Sequence, residues 1–374
     1  MGRRALILRS NPVAPDSRVE KEAAALRGNG YDIKILAWDR RASHKTVEGH
    51  VNAFGHDVPA VLFGHAANFG DGFKSLSPFL MFQWDLFRWL IANKNEYDLI
   101  HACDFDTAFT ASIANIFLRK KLIFDIFDYI GGQRESRLQK ILCNLHTWII
   151  NRADATIICT EERKRQIGNA KPKRLCIIHN TPPRIDVTSG EGHSNQDTKI
   201  KVCYVGILQD YRLLKEIPEF FIRHPEFEFH IGGFGKYEEF YKDLALKYPN
   251  IRYYGALKYQ DTLKLETESD IMLAIYDPTI ENHVFAAPNK FYESLMIGKP
   301  VVMVKGTGMS NIVDQYKLGE IINYSLESFE KGLLCLAARR KEWPAISLKM
   351  KEVYNQYSWD EMKRRLIALY QELI

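Results

Sequence analysis

Residues 287–304 combine a turn, a short helix and an apolar strand in a pattern that suits an anion. Pro288 and Asn289 favour a turn followed by a helix N-cap, and Gly298 favours the end of that helix. The free backbone N–H groups at such a helix start attract a diphosphate or another anion. Glu293 lies one turn inside, where its carboxylate could accept hydrogen bonds from sugar hydroxyls. An ordinary helix with a solvated glutamate is equally consistent with these residues alone.

A second set of residues that could bind phosphate follows the apolar run 202–205. Gly206 comes next, and a small residue at the carboxyl end of a parallel strand lets a ligand approach the backbone. Arg212 and Lys290 are candidate phosphate cations, although either could be a solvated charge. These residues predict a diphosphate site in the second half of the chain.

Polar residues in the first half follow predicted strands, at the sheet edge where parallel α/β proteins bind ligands. They are Asp16, Arg18, His101, Asp104, Asp106, Asp125 and Asp128. Structural alternatives exist: Asp16 could cap a helix, Arg18 could be a surface charge, and His101 could be a core histidine. The residues therefore define a candidate polar edge without fixing its ligand.

The run 287–302 resembles the donor-binding signature of retaining glycosyltransferases of family 4, which have the two-domain GT-B fold. Glu293 matches the second of two glutamates in that signature, and the following Gly-Lys-Pro matches its end. The first glutamate would fall at Phe285, and Glu281 is a candidate substitute. The resemblance covers nearly the whole chain and implies that Glu293 contacts hydroxyls of the nucleotide ribose.

Other segments match the same family in part. Arg212 stands at the position of a diphosphate-binding lysine, whereas Ile207 replaces a usual arginine and Phe127 replaces a histidine near the reacting sugar. We therefore expect donor binding by Gly206, Arg212, Gly233, Gly255, Asn289, Lys290 and Glu293, catalytic roles for Asp128, Asp104 and Glu293, and acceptor-side roles for Asp16, Arg18, His101 and Asp125.

Asp104 and Asp106 spell Asp-x-Asp, which binds a divalent metal in the other glycosyltransferase fold. The resemblance to GT-B enzymes implies that no such metal is needed. We therefore predict no metal site and no cofactor, with a nucleotide-diphosphate sugar as substrate. Retaining members of this fold are thought to react front-side, so positioned cations and carboxylates matter more than a dedicated base.

Short apolar runs alternate with helical patterns in both halves, which is the rhythm of a parallel, doubly wound α/β sheet. Strands are predicted at 5–9, 32–37, 99–102, 121–125, 155–159, 174–179, 201–206, 228–231, 251–254, 271–274 and 300–304, and helices at 17–29, 107–119, 135–151 and 359–373. The resemblance implies two Rossmann-like domains facing across a cleft: an acceptor-side domain (1–185), a donor-binding domain (200–357), and a last helix (358–374) that crosses back. The polar stretch 184–199 is the predicted linker.

Composition and charge narrow the partners. The chain has 374 residues, of which 46% are hydrophobic and 26% charged, as in globular proteins. The net charge of +5 favours an anionic partner, and because no nucleic-acid-binding motif accompanies it we exclude nucleic acid. The six cysteines form no CxxC pair, which indicates a reducing compartment.

No segment is apolar enough to be a predicted membrane span, and the N-terminal apolar run suits a strand better than a signal peptide. The segment 78–92 is rich in aromatic residues but contains Asp85 and Arg88, so it predicts an amphipathic helix. A lipid-contacting surface, with Lys74, Arg88 and Lys94 around it, is the alternative. The predicted location is the cytoplasm, with peripheral contact at the inner face of the cell membrane.

The predicted function is a retaining glycosyltransferase that moves a sugar from a nucleotide-diphosphate sugar to a glycan or lipid-linked acceptor in cell-surface polysaccharide biosynthesis. A GT-B sugar-nucleotide epimerase is one alternative. A degenerate, non-catalytic GT-B binding subunit is another, motivated by Phe127, Ile207 and Phe285 at three signature positions.

Overall fold

The computed structural model describes residues 3–13, 15–42, 45–67, 75–129, 136–184 and 199–374. Lys74 and most of the predicted linker lie outside these residues. The chain divides into two compact units: unit 1 comprises Met1–His179 and Met362–Ile374, and unit 2 comprises Asn180–Glu361. Each unit is built on a sheet with mainly parallel strands, and helices connect these strands.

Unit 1 is built on an eight-stranded sheet. Its strands are β1 (Arg4–Arg9), β2 (Asp32–Asp39), β3 (Thr46–Ala53), β4 (His56–Gly64), β5 (Leu99–Cys103), β6 (Lys121–Ile126), β7 (Ala155–Ile158) and β8 (Leu175–Ile177). The spatial order is β3-β4-β2-β1-β5-β6-β7-β8, and every neighbouring pair is parallel except β3 with β4. The central strands are buried on both faces, which explains their continuous apolar runs.

In the part of unit 1 that the structure describes, five α-helices lie between these strands. They are α1 (Ser17–Arg27), α2 (Leu76–Ala92), α3 (Asp104–Leu118), α4 (Arg137–Arg152) and α5 (Arg163–Gln166). Asp16 caps α1, because its carboxylate accepts a hydrogen bond from the N–H of Val19. The cap fixes where the loop after β1 ends and the helix begins.

Unit 2 is built on a six-stranded, wholly parallel sheet. Its strands are β9 (Ile200–Val205), β10 (Phe227–Gly232), β11 (Ile251–Tyr253), β12 (Ile271–Ala274), β13 (Val301–Val304) and β14 (Gly319–Ile322), in the order β11-β10-β9-β12-β13-β14. Its helices are α6 (Pro218–Arg223), α7 (Glu238–Lys247), α8 (Tyr259–Thr267), α9 (Glu281–Val284), α10 (Asn289–Ile297), α11 (Ser310–Tyr316), α12 (Leu326–Ala338) and α13 (Trp343–Tyr357).

The last helix, α14 (Trp359–Leu373), begins in unit 2, and its residues from Met362 onward belong to unit 1. Tyr370 is fully buried there; its hydroxyl lies 2.9 Å from Nδ1 of His101, and its ring meets the ring of Tyr31 edge-on at 5.3 Å. The predicted crossing helix therefore completes the core of unit 1.

Strand order reverses direction at one point in each sheet, between β1 and β5 in unit 1 and between β9 and β12 in unit 2. Doubly wound sheets bind ligands beyond the carboxyl ends of the strands at such a point, because the loops diverge there and leave a crevice. These two edges are therefore the places to examine for chemistry.

Candidate functional site

Two glycines bring the backbone close together at the edge of unit 2. Gly206 follows β9 with φ of +156°, and Gly233 follows β10 with φ of +140°. A Cβ atom on Gly233 would lie 1.8 Å from the carbonyl oxygen of Gly206, and one on Gly206 would lie 2.7 Å from Nζ of Lys290. Only glycine fits at these positions, so the edge keeps an open backbone beside a lysine.

Two cations lie at this edge against aromatic faces. Cζ of Arg212 is 4.4 Å from the ring centroid of Tyr276, and Nζ of Lys290 is 4.8 Å from that of Tyr204 and 5.9 Å from that of Tyr276. Nε and Nη1 of Arg212 are buried and have no hydrogen-bond partner among the described residues. Buried guanidinium N–H groups without an acceptor are costly, so this pair of cations is arranged for an anion from outside.

Helix α10 adds a third source of positive potential. Its N-cap is Pro288, and Asn289 is the first helical residue, so the prediction that Asn289 is the N-cap is wrong. Proline restricts φ to −71° at the cap position, ψ is 127°, and the cap residue has no side-chain hydrogen bond to the helix. The N–H of Phe291 donates to the carbonyl of Pro288 at 3.0 Å, whereas the N–H groups of Asn289 and Lys290 have no intrahelical acceptor and are available to an anion. Gly298 ends the helix in the left-handed conformation, as predicted.

Glu293 is buried one turn inside α10, with 4% of its surface exposed. The hydroxyl of Tyr259, at the start of α8, interacts with its carboxylate.

Gly255, whose carbonyl accepts the N–H of Gly233 at 2.7 Å, has open space where a Cβ would stand. Gly255 therefore leaves room for a ligand at the carboxyl edge of the same sheet.

Glu281 lies on the short helix α9, and Phe285 caps its C-terminal end. Oε2 of Glu281 is buried without a hydrogen-bond partner among the described residues, and burial raises the pKa of this carboxyl. An unsatisfied carboxylate oxygen is suited to a ligand hydroxyl. The role of Glu281 as a substitute for the missing glutamate at Phe285 stays a prediction.

Arg9, at the end of β1, organises the carboxyl edge of unit 1. Its Nε donates to Asp16 at 2.7 Å, and its Nη1 donates to Asp104. Oδ1 of Asp104 also accepts the N–H groups of Phe127 and Asp128 at 3.0 and 3.1 Å. Burial raises the pKa of Asp104 to about 6, although Arg9 and the N–H of Asp128 stabilise its charge. Asp104 thus ties the loop after β6 to the end of β1.

Phe127, for which the family resemblance predicts a histidine, lies between two guanidinium groups. Cζ of Arg9 is 4.5 Å from its ring centroid, and Cζ of Arg18 is 4.6 Å away. Phenyl faces attract cations but cannot transfer a proton. This side chain therefore orders the two arginines and offers no general base.

Arg18, Asp125, Glu22 and His101 form a buried polar cluster in unit 1. Arg18 donates to both oxygens of Asp125 at 2.8 and 3.0 Å, and its Nε lies 3.2 Å from Glu22. Nε2 of His101 lies 3.4 Å from Asp125. Burial raises the pKa of Glu22 to about 7, and the charge of Asp125 adds to this effect; Asp125 stays ionised beside Arg18 despite its own burial. The predicted acceptor-side residues Arg18, His101 and Asp125 thus contact one another inside the unit.

Metal-competent groups cluster at one place in the part of the chain that the structure describes. Ligand atoms of Glu22, His101 and Asp125 all lie within 4.8 Å of one another, whereas the Asp-x-Asp motif does not form such a group. Both oxygens of Asp125 already accept bonds from a guanidinium, which supplies the positive charge there. The donor set is thus better suited to Arg18 than to a metal ion.

Asp128 is the exposed member of the predicted catalytic set in unit 1. Its side chain is 74% exposed and lies 3.6 Å from Nη2 of Arg163, which itself is 2% exposed. Arg163 also donates to the carbonyl of Phe127 at 2.7 Å. The Asp128 carboxylate is therefore accessible to a ligand, while Arg163 holds its loop in place.

Several residues of these edges were not predicted from sequence. They are Arg9, Glu22, Arg163, Tyr204, Tyr259, Glu266 and Tyr276. Arg9 could have been predicted, because a charged residue at the carboxyl end of an apolar strand lies at the ligand-binding edge of a parallel sheet. Glu266 and Tyr259 lie on a helix with ordinary amphipathic spacing, so only the packing of α8 against α10 shows their proximity to Glu293.

Comparison with known proteins agrees with this topology. Residues 15–181 match the glycosyl transferase 4-like domain. Sucrose-phosphate synthase from Thermosynechococcus elongatus is similar in structure over 99% of both chains, with 12% identity and a TM-score of 0.75. The chain has the GT-B glycosyltransferase fold. This confirms the fold class predicted from sequence, and the domain match over residues 15–181 agrees with the predicted resemblance to glycosyltransferases.

Two further solved structures share this fold. HepE from Anabaena, in complex with UDP and glucose, has 13% identity and a TM-score of 0.69 over 99% of this chain and 100% of that one. The lipopolysaccharide outer core galactosyltransferase WaaB has 13% identity and a TM-score of 0.67 over 98% and 99%. No curated protein sequence matches the chain. At these identities the shared feature is the fold, and the residue assignments depend on the geometry above.

Proposed function

We propose that this protein is a retaining glycosyltransferase that uses a nucleotide-diphosphate sugar. The observation that carries the proposal is the Arg212 guanidinium beside Lys290 and the start of α10: its buried Nε and Nη1 have no hydrogen-bond partner among the described residues. Three donors of positive potential at one edge match the charge and the several oxygens of a diphosphate. The UDP complex of HepE makes a uridine nucleotide the first ligand to test.

In the proposed reaction, the bond between the anomeric carbon and the diphosphate oxygen breaks while the acceptor oxygen bonds to the same face of that carbon. The acceptor proton passes to the departing phosphate oxygen, so no side chain needs to remove it. Arg212, Lys290 and the α10 N–H groups stabilise the charge that develops on the diphosphate. Glu293 holds hydroxyls of the donor, and orientation supplies much of the rate.

The acceptor is proposed to be a glycan or lipid-linked glycan of cell-surface polysaccharide, bound on unit 1. Asp16, Asp104 and Asp128 are the carboxylates at its edge. A non-catalytic binding subunit is the second candidate, and Phe127 between Arg9 and Arg18 is the observation that favours it. Hydrolysis or transfer of the donor sugar by purified protein separates the two.

We also propose that the protein works in the cytoplasm and touches the inner face of the cell membrane through α2. Leu76, Leu80, Met81 and Trp84 on one face of α2 are 50%, 56%, 45% and 61% exposed. Exposed apolar side chains with a tryptophan, next to the exposed Arg88, suit an anionic lipid interface. Among the described residues no helix is long and apolar enough to cross a bilayer.

Nucleotide binding by the wild-type protein and Arg212→Ala tests the proposal. A thermal-shift panel of UDP, GDP and ADP should identify one stabilising nucleotide. Arg212→Ala should weaken its binding by roughly 1.5–3 kcal/mol, because a hydrogen-bonded charge is lost. Lys215→Ala, an exposed cation on the same loop, is the matched control and should bind like wild type. An unchanged dissociation constant in Arg212→Ala would remove the basis of the donor site.

A further inference from the structure

A cavity lies at the amino edge of the sheet of unit 1, where the strands begin, on the side opposite the carboxyl edge described above. Its volume is about 310 Å³, near the lower limit for pockets that bind small molecules. Its wall is formed by α3, β6, the end of α4 and the segment before β8, with the residues Ser112, Asn115, Leu122, Asn151, Arg152 and Lys173. None of these six is acidic, and two are cations. The cavity therefore has the size and the charge of a site for a small anion.

Ser112, on α3, contributes a hydroxyl that has no partner. The residue is 2% exposed, and its Oγ has no hydrogen bond to any residue that the structure describes. One turn later, Asn115 holds the wall in place, because its Nδ2 donates to the carbonyl of Lys120 at 2.8 Å and its Oδ1 accepts the N–H of the same residue at 2.6 Å. A buried hydroxyl without a partner is costly. Ser112 is therefore suited to an oxygen atom of a ligand in the cavity.

The hydrogen-bond acceptors of the wall already have donors within the protein. Oδ1 of Asn151 accepts the N–H of Lys171 at 2.6 Å, and the carbonyl of Arg152 accepts Nζ of Lys173 at 3.0 Å. Oδ1 of Asn115 is occupied in the same way. The groups that remain for a ligand are mainly N–H and O–H donors, which favour a ligand with several acceptor oxygens.

Arg152 has its guanidinium against an aromatic face. Its Cζ lies 5.3 Å from the ring centroid of Trp148, and it forms no ion pair with the described residues. An aromatic face orients a guanidinium but does not satisfy its N–H groups. Lys173, whose Nζ bonds to the carbonyl of Arg152, brings a second cation to the same cavity. The two cations are therefore placed to bind one anion together.

The sequence around the cavity adds further positive charge. Four more cations lie within three residues of the wall in sequence: Arg119, Lys120, Lys121 and Lys171. Asp154, whose Oδ1 lies 3.4 Å from Nζ of Lys173, is the acidic residue of these segments. The C-terminal ends of α3 and α4 contribute about half a negative charge each. The cations outnumber these negative charges, so the amino edge keeps a net positive potential.

We propose that this cavity binds a phosphate monoester, either a small soluble compound or the headgroup of a lipid. A monoester carries a charge of about −1.5 to −2 near pH 7 and three acceptor oxygens, which match a guanidinium, an ammonium and a hydroxyl. A neutral sugar would leave the charges of Arg152 and Lys173 without a counterion. The inference does not rest on the proposed function, because the cavity and the donor site belong to different units.

Two exposed apolar residues next to the wall are relevant to the lipid source. Ile116 and Phe117, which follow Asn115 on α3, are 49% and 72% exposed. Apolar side chains beside cations suit the interface of an anionic membrane. A headgroup in the cavity would have its acyl chains near these residues, whereas a soluble compound would not need them.

Calorimetry with glycerol 3-phosphate tests the site. Arg152→Gln combined with Lys173→Gln should bind this compound at least tenfold more weakly than wild type. Lys317→Gln combined with Lys331→Gln removes two exposed cations of unit 2, with side chains 72% and 75% exposed, and is the matched control that should bind like wild type. Equal affinity in wild type and in the cavity variant would overturn the proposal.

Arg212→Ala separates this cavity from the proposed donor site. It should bind glycerol 3-phosphate like wild type, and a loss of binding in Arg212→Ala alone would assign the phosphate to the donor site and overturn the proposal. Absence of nucleotide binding, by contrast, would contradict the proposed function and leave the phosphate result standing.

Two single variants test the cavity if the double variant does not fold. Arg152→Gln keeps the backbone carbonyl that Lys173 contacts, and it should weaken binding at least threefold. Ser112→Val removes the hydroxyl and narrows the cavity without changing its charge, and it should also weaken binding at least threefold. Wild-type affinity in both variants would show that the phosphate does not enter the cavity.

Flotation distinguishes the two sources of the phosphate. Vesicles containing phosphatidic acid are compared with vesicles of equal negative charge containing phosphatidylglycerol, whose phosphate is a diester. A preference of wild type for phosphatidic acid of threefold or more, lost in Arg152→Gln with Lys173→Gln and reduced in Phe117→Gln, identifies a lipid headgroup. Equal binding to both vesicles, together with binding of glycerol 3-phosphate, identifies a soluble compound. Neither a preference for phosphatidic acid nor binding of glycerol 3-phosphate would contradict the site itself.

Discussion

Tyr276 explains how two cations of unit 2 are held in place without a carboxylate between them. Its ring lies 4.4 Å from the guanidinium of Arg212 and 5.9 Å from the ammonium of Lys290. An aromatic face orients a cation yet leaves its N–H groups unsatisfied, whereas a carboxylate would satisfy them. At the scale of single residues, the site is therefore arranged in advance for a ligand that carries its own negative charge.

Glu293→Gln should keep the fold and reduce turnover by about 10- to 150-fold. The amide has the shape of the carboxylate but accepts hydroxyl hydrogen bonds without charge, a difference of roughly 1.5–3 kcal/mol. Steady-state transfer from the donor sugar measures the effect, with Glu268→Gln as the control. Wild-type turnover in Glu293→Gln would mean that its burial serves packing alone.

Glu22→Gln should change how the stability of the protein depends on pH. In the folded protein the pKa of Glu22 is raised from its ordinary value of 4.5 to about 7, by burial first and by the charge of Asp125 second. Its favourable contribution is therefore complete below pH 4.5 and is lost as the pH rises to about 7, at up to about 1.4 kcal/mol per pH unit.

Urea unfolding of wild type and Glu22→Gln at pH 5, 6, 7 and 8 measures this effect. The free energy of unfolding of wild type should fall relative to the variant across that range. Glu20→Gln, on the same helix, is the control. A constant difference between wild type and Glu22→Gln would show that Glu22 does not titrate there.

Single residues were predictable from sequence where a motif or a strand end marked them. Gly206, Arg212, Lys290 and Glu293 lie at one edge of unit 2, as their positions in the chain suggested. The partners of the polar residues in unit 1 were not predictable, because Arg18 meets Asp125 and His101 meets Tyr370 only after distant segments pack together. Sequence spacing carries no information about such long-range pairs.

Helix α2 has apolar side chains on two faces, and they have different environments. Phe82, Leu86 and Leu90 are fully buried, whereas Leu80 and Trp84 are more than half exposed. The predicted amphipathic helix is therefore present, but its outer face is apolar at its N-terminal end. A helix that is apolar on two faces packs one face on the core and offers the other to a membrane or to another protein.

Leu80→Gln combined with Trp84→Gln should abolish flotation with anionic vesicles at low salt. Each apolar side chain is worth about 1.5–3 kcal/mol when it is removed from water, so the double variant should bind more than tenfold more weakly. Leu246→Gln, which changes an 86% exposed leucine of unit 2, is the matched control and should float like wild type. Wild-type protein that stays at the bottom of the gradient would contradict the membrane proposal and favour a soluble acceptor.

Two of the strands that sequence reasoning missed, β3 and β14, have weak apolar signals. Strand β3 is exposed along most of its length and pairs antiparallel with β4 at the edge of the sheet, so it needs no continuous apolar run. Strand β14 is short, and its first residue is Gly319, where a Cβ would lie 1.9 Å from the carbonyl of Val301. Buried central strands, by contrast, were predicted to within a few residues.

At the scale of the whole molecule, activity is predicted to survive excess EDTA with at most a twofold loss. Asp104 is bonded to Arg9 and to two backbone N–H groups. In the proposed reaction, the cations of unit 2 supply the positive charge that a metal would otherwise bring to the diphosphate. Initial rates with and without chelator measure the effect. A loss of turnover that manganese or magnesium restores would contradict the metal-free reaction.

The division of the chain also has a consequence for biosynthesis. Unit 1 consists of Met1–His179 together with Met362–Ile374, so it is interrupted in the sequence by all of unit 2. During translation, the partners of Tyr370, including His101 and Tyr31, leave the ribosome long before Tyr370 does. Unit 2 has its whole sequence first and can fold as a nascent domain. The core of unit 1 therefore cannot close until the residues from Met362 onward have been synthesised. Until then its apolar surface is exposed and can bind chaperones.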